Sequence, residues 1–406
     1  VGLDVGTQYV RAVIGQGGDE GTEPTILGVG VSPGSGLRRG IVVDVEETVK
    51  AITAAIEEAE RVSGVSVGNA FVNISGNHIE SQNSRGVVAV SRADSEIGTE
   101  DVGRAIEAAK AVAVPANKEI IHVLPREYIV DGQEGIKDPI GMNGIRLEVE
   151  AHVLSAASPQ IKNISKCVYQ SGVEVDDLVF SGLASSRGVL SKRQKELGVA
   201  QLDIGAGVAD LTVYEEGDVL HSVVIPVGGS HITNDLAIGL RTDTDIAERV
   251  KLEYGYAVAA DVKGKESVDL ASLSRGDEHK VSKKLIAEII EARVGEILAL
   301  VQQELKKIDR DGKLPAGVVL TGGTAKLPGL VDAAKNALSL PAQVGFPSEL
   351  SGMAEKIDDP SFATSIGLML WGFDSGESGR TSKRFMNLPG SQHLDKVRAV
   401  VKQFLP

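Results

Sequence analysis

Two short stretches of this chain follow nearly the same pattern, Leu3-Asp4-Val5-Gly6-Thr7 and Leu202-Asp203-Ile204-Gly205-Ala206-Gly207. In each, an apolar strand ends in an aspartate, and a glycine-rich reversal follows. A second apolar run comes next, Val10–Ile14 in the first copy and Ala209–Tyr214 in the second, so both copies are predicted to be β-hairpins.

The tips of these hairpins carry groups that suit phosphate and a metal ion. Glycine allows backbone N–H groups to approach anionic oxygens closely. An aspartate beside them can bind Mg²⁺ directly or through its water shell. The pattern therefore predicts two hairpins that face each other and grip one nucleotide from both sides.

The composition is that of a globular protein built mainly from aliphatic residues. A chain of 406 residues is too long for one core, so two or more domains are expected. Hydrophobic residues make up 42% but aromatic residues only 3%, which favours α/β architecture. The net charge of −14 disfavours nucleic-acid binding. The single cysteine, Cys167, is interpreted as a core side chain in a protein of a reducing cytoplasm.

Strands and helices alternate along the chain, and one segment departs from this alternation. Residues 1–76 and 155–197 are predicted to form a first α/β half, into which an α+β subdomain of residues 77–154 is inserted. Residues 198–228 and 313–373 are predicted to form a second half, with residues 229–312 as a further subdomain. Within that subdomain, residues 281–308 have the apolar period of a long helix.

The end of the chain has the pattern of a tethered amphipathic helix. Residues 374–392 are rich in Ser, Gly and charge, and are predicted to be a flexible linker. Residues 393–406 place six apolar side chains on one helical face, bordered by basic residues: Leu394, Val397, Val400, Val401, Phe404 and Leu405. Such a helix suits a membrane surface. The alternative is a helix docked on the protein's own body, and the long linker favours the membrane.

No segment approaches the roughly 18 to 20 consecutive apolar residues that span a bilayer. A soluble or peripheral protein is therefore predicted. The sequence begins at Val1 and enters a strand at once, which suggests that a few native residues precede it.

Several motifs occur in the order of the actin-like nucleotide-binding fold. They are the two hairpins, the Thr321-Gly322-Gly323 loop and the segment Ala363-Thr364-Ser365-Ile366-Gly367. Two longer runs resemble the FtsA family of bacterial cell-division proteins, residues 226–237 and residues 141–148. The inserted subdomain lies where FtsA has it and the filament-forming MreB does not. The resemblance implies an actin-like duplicated ATPase fold with an inserted α+β subdomain and a C-terminal amphipathic helix on a flexible linker.

The resemblance also implies a site for ATP and Mg²⁺. It assigns Asp4 and Asp203 to the metal, partly through water. The spacing of Glu248 and Lys251 puts both on one helical face, although spacing alone favours an ordinary surface ion pair. The resemblance assigns the nucleotide contacts to Gly6, Thr7, Gln8, Gly205, Ala206, Gly207, Glu248, Lys251, Gly322, Gly323 and Thr324.

Hydrolysis of ATP is expected to be weak or absent. Members of the fold that turn over readily place a Gln or Glu in the loop after the Leu178-Val179-Phe180 strand, where it orients water. Here that loop begins with Ser181 and Gly182, which cannot replace a carboxylate or an amide. Asp203 and Asp210 are the alternatives for orienting water.

Partners follow from the same resemblance. It implies binding to the C-terminal tail of the tubulin-like FtsZ, self-association into filaments, contact with other divisome proteins, and a place on the cytoplasmic face of the inner membrane at the division site. The candidate surface for the acidic, apolar tail comprises Lys283, Lys284, Arg293 and Glu296. Lysines at a helix start oppose the helix dipole, a cost that an anionic peptide could offset. The alternative is a solvated lysine face.

Two other functions of the fold compete with the leading one. The leading hypothesis is a membrane adaptor that polymerises and recruits FtsZ filaments. An actin-fold enzyme such as a sugar kinase or chaperone ATPase would use the same pair of nucleotide-binding hairpins for catalysis, but the sequence offers no convincing catalytic base. A pilus-assembly relative, similar to PilM, shares the inserted subdomain, and the amphipathic tail argues against it.

Overall fold

The first hairpin opens a six-stranded sheet. The computed structural model describes residues 1–17, 23–91, 94–111, 114–263, 266–270, 280–348, 350–353 and 357–381, with the backbone alone for residues 376–381. Helix α1 is capped by Asp44, whose side chain accepts a hydrogen bond from the Glu47 N–H. The elements of this part are β1 Gly2–Val5, β2 Tyr9–Gln16, β3 Thr25–Pro33, β4 Leu37–Arg38, β5 Ile41–Val42, α1 Val45–Ser63 and β6 Asn69–Ile74.

The next elements form the predicted insertion. They are β7 Glu80–Ala89, α2 Thr99–Lys110, β8 Lys118–Val130, β9 Gln133–Ile136 and β10 Arg146–Ala157. The strands form one sheet in the order β7-β10-β8-β9. Helix α2 lies close to β7, because a Cβ on Gly86 would meet the Ala105 carbonyl oxygen at 2.0 Å. The insertion therefore has the α+β character expected from the sequence.

The chain then completes the first half and builds the second. The helices are α3 Ser158–Gln170, α4 Ser181–Val189, α5 Lys192–Leu197, α6 Gly229–Leu240, α7 Thr244–Tyr254, α8 Lys283–Lys307, α9 Leu330–Leu338 and α10 Ala363–Thr381. The strands are β11 Glu174–Phe180, β12 Val199–Ile204, β13 Ala209–Glu215, β14 Asp218–Ile225, β15 Ser267–Asp269, β16 Lys280–Ser282, β17 Val318–Thr321, β18 Ala342–Val344 and β19 Ser351–Gly352.

Both predicted hairpins are confirmed, and each opens a sheet of the same topology. β1 pairs with β2 and β12 pairs with β13, both antiparallel. The first sheet has the order β11-β6-β1-β2-β3-β19, and the second has the order β18-β17-β12-β13-β14. Apart from the extra strand β19, the two sheets match strand for strand. The hairpin repeat thus reflects a duplicated half.

The long helix α8 is continuous and begins two residues later than the apolar period indicates. Val281 belongs instead to β16, where it pairs with Val268 of β15. The Ser282 side chain accepts a hydrogen bond from the Leu285 N–H at 3.0 Å and caps the helix. A cap and a strand pairing, which the apolar period does not reveal, set this boundary.

The predicted linker boundary at residue 374 is wrong, because α10 continues to Thr381. The helix starts in the core, where Ile366, Leu368 and Met369 are buried. Once a buried turn has formed, each added residue extends a helix at little cost, even without an apolar period. The rest of the predicted linker and the whole predicted amphipathic helix, residues 393–406, lie outside the described residues.

The chain forms two compact units. The first comprises Val1–Gln82, Val114–Leu124 and His152–Leu370, and it contains both duplicated halves. The second comprises Asn83–Ala113 and Pro125–Ala151, and it resumes at Trp371. In the part of the chain that the structure describes, every helix is too short or too polar to cross a membrane.

Candidate functional site

A cavity of about 440 Å³ lies between the two halves of the first unit. Both hairpin tips line it, as do the ends of β6 and β17 and the sides of α6 and α7. The carboxyl end of β17 leads into Gly322 and Gly323, and that of β6 leads into Ser75. The cavity therefore collects all the nucleotide and metal residues suggested by the resemblance, and every one of them is on its lining.

Three buried aspartates face this cavity. Asp4 is the last residue but one of β1, while Asp203 and Asp210 lie directly opposite each other in the second hairpin. Burial raises the pKa of Asp4 to about 7, with Arg11 lowering it and Asp203 raising it. Burial also raises the pKa of Asp203, and burial with the neighbouring Asp203 raises the pKa of Asp210 well above its usual value. The negative charge here is poorly compensated by the protein itself.

A hydrated divalent cation fits these carboxylates, because it would compensate their charge. Among the described residues, no group of three or more His, Cys, Asp or Glu side chains is arranged to hold a metal ion directly. Asp4 and Asp203 therefore suit an ion such as Mg²⁺ that keeps part of its water shell. Thr364, at the start of α10, fixes Asp203 by donating a hydrogen bond from Oγ1 to Oδ2 at 2.8 Å.

Arg11 is a cation of the site that the sequence motifs do not predict. Its Nη1 lies 3.9 Å from Asp4 Oδ2, and its guanidinium stacks on the rings of Tyr9 and Phe362. Its buried Nε has no hydrogen-bond partner among the residues that the structure describes. The hairpin register could have revealed this residue, because Arg11 is the direct partner of Asp4 in the β1–β2 pairing.

Asn73 is a second site residue that the sequence motifs do not predict. It is the last residue but one of β6, and its Nδ2 donates to Asp4 Oδ1 at 2.8 Å and to Ser181 Oγ at 3.1 Å. Its Oδ1 accepts a hydrogen bond from the Val5 N–H at 2.7 Å. All of its donors and its acceptor thus hold protein groups in place. Asn73 fixes the orientation of Asp4.

Two glycines of the site, Gly207 and Gly322, leave no room for side chains. A Cβ on Gly207 would lie 2.8 Å from both the Arg39 Cα and the Thr7 Oγ1. Gly322 has a φ of 82°, and a Cβ there would lie 2.4 Å from Asp203 Oδ1. Backbone groups therefore line these parts of the cavity, which is the surface that a phosphate chain requires.

Glu248 and Lys251 form an ion pair on the cavity wall. Lys251 Nζ lies 2.6 Å from Glu248 Oε2 and also donates to Thr233 Oγ1 at 2.9 Å and to the Gly229 carbonyl at 3.3 Å. Burial favours protonation of Glu248, but the hydrogen bonds from Lys251 and Thr233 hold its pKa below the usual value. Gln8 Nε2 of the other half donates to Glu248 Oε1 at 3.3 Å. The pair is therefore part of the cleft.

The predicted loop after β11 is the first turn of α4, and it has no space for a water-orienting amide or carboxylate. A Cβ on Gly182 would lie 2.4 Å from Thr212 Oγ1 and 2.7 Å from the Phe180 ring. Ser181 is buried and bonded to Asn73. Asp203 and Asp210, the alternatives for orienting water, both line the cavity, and Asp210 Oδ1 accepts a hydrogen bond from Ser75 Oγ at 2.6 Å.

The residues predicted to bind a partner lie on α8, apart from the cavity lining. Arg293 bonds to Asp235 of α6 through both Nε and Nη2, at 2.6 and 2.9 Å, and also pairs with Glu296. Lys283 pairs with Glu266 at 2.7 Å, and Lys284 lies 4.0 Å from Glu288. All four predicted residues are thus present on one helix with acidic neighbours. The six apolar residues predicted to contact membrane lie outside the described residues.

Comparison with known proteins gives matches over the whole chain. A family model described as "Cell division protein FtsA" matches residues 200–367, and one described as "SHS2 domain inserted in FTSA" matches residues 76–155. The chain is 39% identical to FtsA of Pseudomonas aeruginosa over 100% of this chain and 96% of that protein. It is 39% identical to FtsA of Bacillus subtilis, with 91% and 82% covered, and 36% identical to FtsA of Escherichia coli, with 93% and 91% covered.

Solved structures with low sequence identity share the fold. A PilM–PilN type IV pilus biogenesis complex matches with a TM-score of 0.68 and 17% identity, covering 91% of this chain and 97% of that chain. MreB5 of Spiroplasma citri bound to ADP matches with a TM-score of 0.56 and 14% identity, covering 94% and 97%. The predicted fold class, an actin-like duplicated fold with an inserted α+β subdomain, is confirmed.

Proposed function

Because this chain belongs to the FtsA family of cell division proteins, we propose that it binds ATP and Mg²⁺ and acts as an actin-like adaptor in bacterial cell division. The observation that carries the nucleotide part is that both glycine-rich hairpins and three buried aspartates line one cavity. The fold relative MreB5, whose structure holds ADP, supports a nucleotide as the occupant. We propose the domain boundaries given by the sequence as the working division of residues 1–373.

In this proposal each half supplies part of the nucleotide site. Mg²⁺ would supply positive charge that neutralises the phosphates, held by Asp4 and Asp203 partly through water. Glu248 and Lys251 would contact the adenosine. The backbone and side chains around the phosphates and the base would be Gly6, Thr7, Gln8, Gly205, Ala206, Gly207, Gly322, Gly323 and Thr324.

The bound nucleotide serves assembly rather than rapid turnover in this proposal. The crowded position of Gly182 supports weak hydrolysis, because no side chain that orients water fits there. Asn73 does not replace it, because its amide is already bonded to Asp4, Ser181 and the Val5 N–H. Asp203 orients the water of any slow reaction.

The proposed partners use surfaces outside the cavity. The FtsZ tail would bind α8 through Lys283, Lys284, Arg293 and Glu296, with exposed apolar side chains nearby on α6 and α8, Ile238 and Leu285. The helix of residues 393–406 would anchor the protein on the cytoplasmic face of the inner membrane at the division site. There the chain would form filaments and recruit later divisome proteins.

Titration with a fluorescent ATP analogue, with and without Mg²⁺, tests the nucleotide site. We expect Mg²⁺-dependent binding that Asp203→Asn weakens at least about tenfold, because a hydrogen-bonded carboxylate is removed from the metal. Asp332→Asn, at an exposed carboxylate of α9, is the matched control and should bind normally. Equal affinity of Asp203→Asn and the parent chain would contradict the proposed site, and phosphate release at several turnovers per minute would contradict weak hydrolysis.

Co-sedimentation with liposomes in the presence of ATP tests the membrane anchor. The intact chain should pellet with vesicles, and a chain truncated after Gly390 should stay in solution. Equal pelleting of both would remove the anchor from the proposal.

For the FtsZ tail, Arg293→Glu should abolish binding of a tail peptide, whereas Lys335→Glu, the same charge reversal at an exposed site of α9, should not.

A further inference from the structure

The two halves of the first unit are joined beside the cavity by residues 75–81, here called the clasp. The clasp leads from the end of β6 into the start of β7. Ser75 Oγ donates a hydrogen bond to Asp210 Oδ1 at 2.6 Å, from the first half to the second. Both residues are buried, with exposed fractions of 8% and 4%. Breaking a hydrogen bond between two buried groups is costly, because each group is left without a partner.

A second contact fixes the other end of the clasp. Ser81 Oγ donates to the backbone carbonyl of Ser222 at 2.5 Å. Ser222 lies in β14, which is the edge strand of the second sheet and is paired with the strand that carries Asp210. The clasp thus bonds to two adjacent strands of the second half.

Backbone packing reinforces these bonds. A Cβ on Gly40 would meet the Ser75 carbonyl oxygen at 2.7 Å, and one on Gly207 would meet the Arg39 Cα at 2.8 Å. The turn between β4 and β5 is therefore in close contact with the clasp on one side and with the second hairpin on the other. In comparison, the contact between Gln8 and Glu248 across the cleft is exposed and longer, at 3.3 Å.

We infer that the clasp holds the two halves closed whether or not a nucleotide is bound, and that its opening limits the rate at which nucleotide leaves. The first part rests on contacts made by the protein alone. The second part also rests on the proposed nucleotide site. Ser75 and Asp210 both line the cavity, so the same bond that joins the halves also borders the proposed phosphate region.

Distance measurement between spin labels tests closure without any nucleotide. Labels would be placed on cysteines substituted at the exposed Glu57 of α1 and Lys335 of α9, because the native Cys167 is buried. The nucleotide-free parent should give one narrow distance distribution, and Ser75→Ala should broaden it toward longer distances. Ser171→Ala removes a hydroxyl that donates to the Val168 carbonyl, a contact within the first half, and is the matched control. An unchanged distribution in Ser75→Ala would overturn the clasp.

The dissociation rate of a fluorescent ATP analogue tests the second part. Ser75→Ala should raise this rate about tenfold, the effect of losing one buried hydrogen bond. Ser75→Thr keeps the hydroxyl and should restore the parent rate, which a general loss of packing would not explain. An unchanged rate in Ser75→Ala would refute the kinetic role. Failure of the parent chain to bind the analogue would refute the proposed function instead, and the spin-label result would still decide the clasp.

Discussion

Asp4 should destabilise the nucleotide-free protein at neutral and alkaline pH. Burial raises its pKa from 3.8 to about 7 in the folded state. Between these values the folded state holds a proton that the unfolded state has lost. Keeping the carboxylate ionised and buried therefore has a cost that is absent near pH 3, grows through pH 4 to 7 and is complete above pH 7.

The expected size of this effect follows from the shift. About three pKa units correspond to roughly 4 kcal/mol. Asp4→Asn removes the charge and keeps an amide oxygen that can accept the hydrogen bond from Asn73. Arg11 loses a partner 3.9 Å away, so part of the gain is offset. We expect Asp4→Asn to be more stable than the parent by roughly 1 to 3 kcal/mol at pH 8, and by clearly less at pH 5.

Guanidinium unfolding followed by circular dichroism, in the presence of EDTA and without nucleotide, measures this difference. The free energy of unfolding of Asp4→Asn minus that of the parent should rise between pH 5 and pH 8. Asp332→Asn is the control, and its difference should stay near zero at both pH values. If the difference for Asp4→Asn is the same at pH 5 and pH 8, burial does not raise the pKa of Asp4 and the argument is refuted.

Three further outcomes are expected. Burial lowers the pKa of His122 to about 4, so the free energy of unfolding should fall by roughly 3 kcal/mol as the pH drops from 6.5 toward 4, where the unfolded state binds a proton that the folded state does not. In acid unfolding, His122→Gln should reduce this fall. Gly182→Gln should lower the free energy of unfolding by roughly 2 kcal/mol or more, because its Cβ would meet Thr212, and it should not increase ATPase activity. A variant that is as stable as the parent and hydrolyses ATP faster would contradict this. Asn73→Ala should weaken Mg-ATP binding about tenfold in a titration, because Asp4 loses its orienting amide, and unchanged affinity would count against that role.

The sequence alone predicts the fold well where the pattern is local. The two hairpins are visible because apolar alternation, an aspartate and glycines fall within about a dozen residues. The α+β character of the insertion could be predicted for the same reason. The end of α10 could not, because its continuation depends on a start buried in the core rather than on its own composition.

The candidate site was only partly predictable. The glycines and aspartates have a motif, but Asn73 enters the site through the order of strands, since β6 lies beside β1 in the sheet. Ser75 and Asp210 meet across 135 positions of sequence, which no local pattern encodes. Glu248 and Lys251 show the reverse case, because their spacing suggests a surface pair and only the fold places that pair on the cavity wall.

The repeat has one further consequence. Asp4 is paired with Arg11 in the first hairpin, and Asp203 is paired with Asp210 in the second, at equivalent positions of the duplicated unit. The pseudo-twofold symmetry of the backbone is therefore broken in charge at one position, positive on one wall of the cleft and negative on the other. A cleft with identical walls would accept an asymmetric ligand in two opposite orientations. This difference lets the cleft distinguish the two ends of an asymmetric ligand by charge.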